Sequence, residues 1–157
     1  MRAPSQDRGG FRAQEHRLFT CGQRWKGRDA IGAILCVGAG GCLGAIGRYL
    51  IGLAPFDGSF PLATFIVNFV GAVAIGALTE ASLGTAGMSR EAELFLKTGV
   101  CGGFTTFSTF SLETFELFES GDFVTGSLYA GGSLVACVLG VALGKIAVRG
   151  VLSPSSC

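Results

Sequence analysis

Charge is distributed along this chain in a way that few folds tolerate. Residues 30–47, 58–79, 98–112 and 123–144 hold no charged side chain at all. A helix that crosses the hydrocarbon core of a bilayer needs about 20 mainly apolar residues, within a range of about 17–25. The first, second and fourth stretches meet that need directly. The third meets it once residues 94–96 and 114–118 are added, which brings in Lys97, Glu113 and Glu116. The pattern predicts an all-α membrane protein with four transmembrane helices at about 30–54, 62–84, 92–118 and 123–148. A water-soluble fold would have to bury four helices that are apolar all round inside 157 residues. Only 15% of the residues are charged, against about 25% in a typical soluble domain, and the mean hydropathy is +0.54. The first stretch does not read as a signal peptide, being too long and lacking a small-x-small cleavage site.

Domain organisation follows from the same pattern. Residues 1–29 form a polar, basic tail that reads as disordered, residues 30–149 the membrane domain, and 150–157 a short C-terminal tail. Four spans place both termini and the 85–91 loop on one side of the membrane. That side carries Arg2, Arg8, Arg12, Arg17, Arg24, Lys26, Arg28, Arg90 and Arg149, whereas loops 55–61 and 119–122 carry no Lys or Arg. The positive-inside rule then predicts cytoplasmic termini. The tail is read either as lying on anionic headgroups or as an over-long gene start.

Glycine supplies 26 of the 157 residues and sits inside the apolar runs. Lipid is as apolar as leucine, so helices associate in a bilayer through close backbone approach at small residues. Gly40-x-x-x-Gly44, Gly71 and Gly76, Gly99-x-x-x-Gly103 and Gly140-x-x-x-Gly144 provide such faces in the four spans. One thin bundle of this size leaves little room for an aqueous path, and a homodimer is the economical way to provide one. The cysteines at 36, 42, 101 and 137 read as small apolar filler, since none has metal-ligand spacing. His16 reads as solvated in the tail, and a net charge of +1 gives no nucleic-acid signal.

Polar insertions in the apolar spans point to chemistry. The run from Gly99 to Glu113 has three glycines followed by hydroxyl residues at 105, 106, 108, 109 and 111, a poor uninterrupted helix. Non-helical backbone at membrane depth persists only where protein or a watery cavity receives its freed N–H and C=O groups. A break here would offer carbonyls to a cation and helix N-termini to an anion. The alternative is an unbroken helix whose hydroxyls bond the carbonyl four residues back. Phe107 and Phe110, at i and i+3, share a helix face, and Ser108 and Ser111 share the adjoining one. An aromatic ring has a positive edge, so two inward edges stabilise a small anion without a formal charge. Hydroxyl donors beside them replace part of its hydration shell. Asn68, mid-span in the second helix, serves either as interhelical glue or as an NH₂ donor to a permeating anion. Arg48 lies within snorkelling reach of the membrane edge. Glu113 is a candidate for holding neighbouring backbone or for proton traffic.

Three motifs carry a resemblance to a known family. Gly41-x-x-Gly44-Ala-x-x-Arg48-Tyr49, Pro61-x-x-Thr64-x-x-x-Asn68-x-x-Gly71 and Gly102-Gly-Phe-Thr-Thr-Phe-Ser-Thr-Phe-Ser-x-Glu113 look like those of the fluoride channel family (Fluc, also called CrcB). The similarity covers about residues 31–148, and the third motif is the most specific. It implies a fluoride-selective channel in the plasma membrane, built as a dual-topology, antiparallel homodimer with two pores and a third helix broken mid-membrane. Such a channel passively exports cytoplasmic fluoride that has entered as neutral HF. Carried over by position, Phe107 and Phe110 would be the pore-lining aromatic pair. Asn68, Ser108, Thr109 and Ser111 would be polar pore contacts, and Tyr129 would face the pore from the fourth span. Gly102 and Thr105 would give backbone carbonyls to a structural sodium ion on the dimer axis.

The chain departs from the family pattern at Ala63 and Ala72, and Lys97, just before the third motif, has no role in it. The count of nine basic residues against none opposes insertion in both orientations. Either the tail is absent from the native product or an oppositely inserted paralogue is the partner. Two other classes stay open on the residues alone. One is a proton-coupled antiporter with Glu80 or Glu113 as carrier, and the other a non-transporting membrane assembly protein. An enzyme is not expected, because the sequence holds no nucleophile–base pair or metal set.

Overall fold

The computed structural model describes residues 27–56, 58–84 and 87–152. The expected basic tail therefore lies outside the described residues except for its last three positions. Every regular element among the described residues is helical: α1 (Gly27–Gly52), α2 (Leu62–Leu83), the single turn α3 (Arg90–Glu93), a π-helical run (Leu94–Cys101), α4 (Gly102–Phe104), α5 (Phe107–Glu119) and α6 (Phe123–Leu152). Three stretches are continuous helices long and apolar enough to cross a membrane: Ala30–Gly52, Leu62–Leu83 and Phe123–Val151. Their surfaces carry exposed Ile, Leu and Val along most of their length, a pattern that water would not tolerate but lipid requires. The chain is a multi-pass membrane protein. The third expected span, at about 92–118, falls on the segment from Arg90 to Glu119, where helix stops at Phe104 and restarts at Phe107.

Local chemistry explains several element ends. Pro61 precedes α2 with φ −73°, preset for a helix start. Ser89 caps α3 by accepting the Ala92 N–H (3.2 Å). α5 ends in a Schellman turn: Gly121 N–H bonds the Phe118 carbonyl, Asp122 N–H bonds the Leu117 carbonyl, and Gly121 takes φ +82°. Asp122 then caps α6 by accepting the Thr125 N–H at 3.1 Å. One tight turn thus ends one helix, starts the next and folds α6 back along α5.

Packing makes two helix pairs. α2 and α6 run together along most of their length, and α1 leans on the π-helical run and α4. Glycine is what lets the backbones meet. A Cβ on Gly40 would strike the Phe95 carbonyl, one on Gly44 the Val100 carbonyl, and one on Gly103 the Gly41 carbonyl. In the other pair, Gly76 sits against the Val141 carbonyl and Gly144 against that of Val73. The glycine spacings in the first, third and fourth spans therefore mark the real contact faces. The buried core is correspondingly small, with Val67 and Tyr129 as its largest fully buried side chains.

Candidate functional site

The chain's polar residues converge where helix gives way between α4 and α5. Cys101 carbonyl accepts both the Thr105 N–H (3.0 Å) and the Thr105 hydroxyl (2.9 Å), the last helical bonds before the interruption. Thr105 then turns extended at ψ 155°, and Thr106 follows at φ −147°, ψ 118°. In a continuous helix the Thr106 N–H would bond the Gly102 carbonyl. Here it donates instead to Asn68 Oδ1 at 2.8 Å, while Asn68 Nδ2 donates to the Thr106 carbonyl at 3.1 Å. The carboxamide acts as a one-residue neighbouring strand, satisfying both backbone groups of a buried, non-helical residue. Without such a partner those groups would be orphaned in an apolar setting.

Thr106 also starts α5. Its Oγ1 accepts the Thr109 N–H at 3.2 Å and donates to Thr109 Oγ1 at 3.0 Å. The Ser108 hydroxyl lies 3.2 Å from the same oxygen. Ser111 donates to the Phe107 carbonyl at 2.8 Å and Thr114 to the Phe110 carbonyl at 2.7 Å, the back-bonding expected of hydroxyls within a helix. The start of α5 therefore presents N–H groups and hydroxyls beside the break, a setting that favours negative charge.

Phe107 and Phe110 stand together at that end with ring centroids 5.6 Å apart. Phe107 is 79% exposed, an outward-facing ring. Phe110 rests on Tyr129, centroids 5.2 Å apart, and Phe60 meets Tyr129 edge-on at 5.4 Å. Tyr129 itself is fully buried. Its hydroxyl donates to Glu113 Oε2 at 2.6 Å, and the Thr64 hydroxyl donates to Glu113 Oε1 at 2.7 Å. Glu113 thus joins α2, α5 and α6 by holding two hydroxyls rather than backbone.

An open groove of about 420 Å³ runs from the aromatic pair along α2 and α6. Of the residues expected at the site, it brings together Asn68, Gly102, Thr105, Phe107 and Phe110. Ser108, Thr109, Ser111 and Tyr129 do not line it. Thr106, among the hydroxyl run but not among the expected site residues, is the point the other groups organise around. Ser133 was missed altogether. It lines the groove at 4% exposure, and among the described residues its Oγ has no hydrogen-bond partner. The available signal was its place one helical turn after Tyr129, on the same face of an otherwise apolar helix.

The architecture can now be set beside known proteins. Residues 35–145 match the family model described as CrcB-like protein, Camphor Resistance (CrcB). The chain belongs to the CrcB family. Its match spans α1 from Leu35 onward, the break with its Asn68 clamp, and most of α6. Among similar proteins is one of Chlorobaculum tepidum named Fluoride-specific ion channel FluC, 50% identical over an alignment of 119 residues that covers 72% of this chain and 94% of that one. Proteins of the same name from Chlorobium luteolum and Chlorobium chlorochromatii are 46% and 42% identical, over 74% and 77% of this chain and 92% and 95% of theirs.

Proposed function

We propose that this chain is a fluoride-selective channel of the plasma membrane that lets cytoplasmic fluoride leave passively and so lowers its toxicity. The observation that carries this reading is the Asn68-clamped interruption at Thr105–Thr106, with the Phe107–Phe110 pair and the start of α5 at its edge. A small anion loses a strongly held hydration shell on entering an apolar path. Ring edges, backbone N–H groups and hydroxyls replace that shell without placing a fixed cation that would trap the ion. The names of the CrcB relatives support fluoride as the ion.

In this reading residues 90–119 form the third of four spans as two half-helices, with the break at membrane depth. A second copy inserted in the opposite sense completes the pores. The outward Phe107 ring and the exposed Gly102 support an interface on this side of the chain. Asn68 acts at the pore mainly by shaping the break, because its acceptor and one donor are already taken by Thr106.

The donor set also fits a small hard cation. Among the described residues no cluster of three His, Cys, Asp or Glu could hold a metal. The Gly102 carbonyl, however, has lost the Thr106 N–H to Asn68, and Thr105 lies in the extended break. Gly102 and Thr105 would give these oxygens to sodium between two copies, where the ion supplies fixed charge that ties the subunits together. An antiporter is less well supported, since neither Glu80 nor Glu113 lines the groove and each is held by partners on another helix.

Expression in a bacterial strain that lacks its own fluoride exporter tests the reading. The wild-type chain restores growth in fluoride, and the Phe110→Ile variant, produced at equal level in the membrane, does not. Growth restored equally by both would remove the ring edges from the mechanism.

A further inference from the structure

Lys97 has no role in the family motifs, and the structure puts it at one end of the groove. On α2, Ile75 lines the groove, and Ser82, seven residues on, shares its helix face. On the π-helical run Cys101 lines it as well, with Lys97 about one wide turn earlier. The two faces meet just beyond the groove, where Lys97 Nζ donates to Ser82 Oγ at 3.4 Å. This end is the one nearest the 85–91 loop and the end of α6. The Lys97 side chain is only 21% exposed, so its charge is held at the edge of the apolar lining. Glu93 Oε1 lies 3.7 Å from it on a carboxylate that is 38% exposed. Glu80, at the same end of α2, is taken up instead by Arg149 at 2.7 Å, with Lys145 acting on the same carboxylate.

We propose that Lys97 gathers anions at this mouth: its ammonium raises the local fluoride concentration and speeds entry into the groove, while Glu93 offsets part of that pull. The proposal rests on the channel reading above and adds an entry residue to it. A charge set beside low-dielectric walls focuses its field and raises the local concentration of the opposite ion. The Ser82 hydroxyl is neutral, so it fixes the ammonium in place without cancelling the charge. Lys97 does not itself line the groove, so it attracts the ion ahead of the aromatic pair without holding it there. A lysine that only snorkelled to the membrane edge would reach for water and headgroups, with no need of an acceptor on α2.

The test records unitary fluoride currents from the full chain in planar bilayers of uncharged phosphatidylcholine. Potassium fluoride alone, at about 10 mM, gives a screening length of about 30 Å, and added potassium gluconate at about 1 M cuts it to about 3 Å. At low salt Lys97→Gln should lower the conductance about threefold, the scale of one unit charge a few ångströms away across water. The deficit should shrink as gluconate is added, and Lys97→Arg should restore the wild-type dependence on salt. Lys97→Met serves where the glutamine variant does not fold. Glu93→Gln should move the low-salt conductance the other way, about twofold upward. If the pair merely held the helices together, removing either partner would act in the same direction. Equal losses in Lys97→Gln and Glu93→Gln would therefore overturn the proposal. So would a Lys97→Gln deficit of the same size in both salts, or no deficit at low salt. Absence of fluoride current from the wild-type chain would overturn the channel reading and this role with it, whereas wild-type current indifferent to Lys97 would overturn this role alone.

Discussion

A carboxamide offers one acceptor and two donors, and Asn68 places the acceptor and one donor on the two backbone groups of Thr106. Asn68→Asp keeps the acceptor for the Thr106 N–H, leaves its carbonyl without a donor, and adds negative charge beside an anion path. Leaving a buried polar group unsatisfied costs about 1–3 kcal/mol. The variant should therefore melt lower in detergent and conduct fluoride at less than a tenth of the wild-type rate, measured by electrode on reconstituted protein. Normal flux would return Asn68 to a packing role. Much at this scale was readable from spacing: Phe107 and Phe110 had to share a face, and a mid-span amide had to find a partner. That the partner is Thr106 was not readable, because the contact joins residues 38 apart through the meeting of two helices. The Glu113 hydroxyl pair was hidden for the same reason. Lys97, which no motif explains, lies 3.7 Å from Glu93 one turn earlier, a legible i,i+4 pair, and donates at 3.4 Å to Ser82 on α2, which only packing reveals.

Continuous apolar length decides elements, so α1, α2 and α6 begin and end within four residues of the spans expected at about 30–54, 62–84 and 123–148. The segment from Arg90 to Glu119 is different. Its glycines and hydroxyls argue for an interruption, yet composition does not say that it falls at Thr105–Thr106. Nor does it announce that Leu94–Cys101 winds in wide π turns, a rare form that recurs at functional sites. Close packing on α1 depends on this segment. Gly44→Ala would drive a methyl into the Val100 carbonyl and the Phe104 amide, whereas Gly38 has open space where a Cβ would stand. Gly44→Ala should lower the melting temperature in detergent by several degrees or abolish folded protein, and Gly38→Ala should leave it within about one degree, since surface changes usually cost under about 0.5 kcal/mol. Equal behaviour of the two would mean that α1 does not seat on this segment as described.

For the whole molecule, the open question set by charge is orientation. Seven of the nine basic residues on the terminal side belong to residues 2–28, and Arg149 is paired with Glu80 at 2.7 Å. With the tail removed, the bias that fixes orientation falls to a level at which insertion both ways is possible. C-terminal reporter fusions of the chain lacking residues 2–29 should report both sides of the membrane. Exclusively cytoplasmic fusions, with and without the tail, would exclude an antiparallel homodimer and leave a paralogue as the partner. The central claim is conduction itself, and efflux from liposomes holding the purified chain tests it most directly, with a fluoride electrode and valinomycin to release the counter-potential. The account predicts rapid loss of fluoride with chloride retained. Equal loss of both ions, or retention of fluoride by the full chain and by the chain lacking residues 2–29 alike, would contradict it.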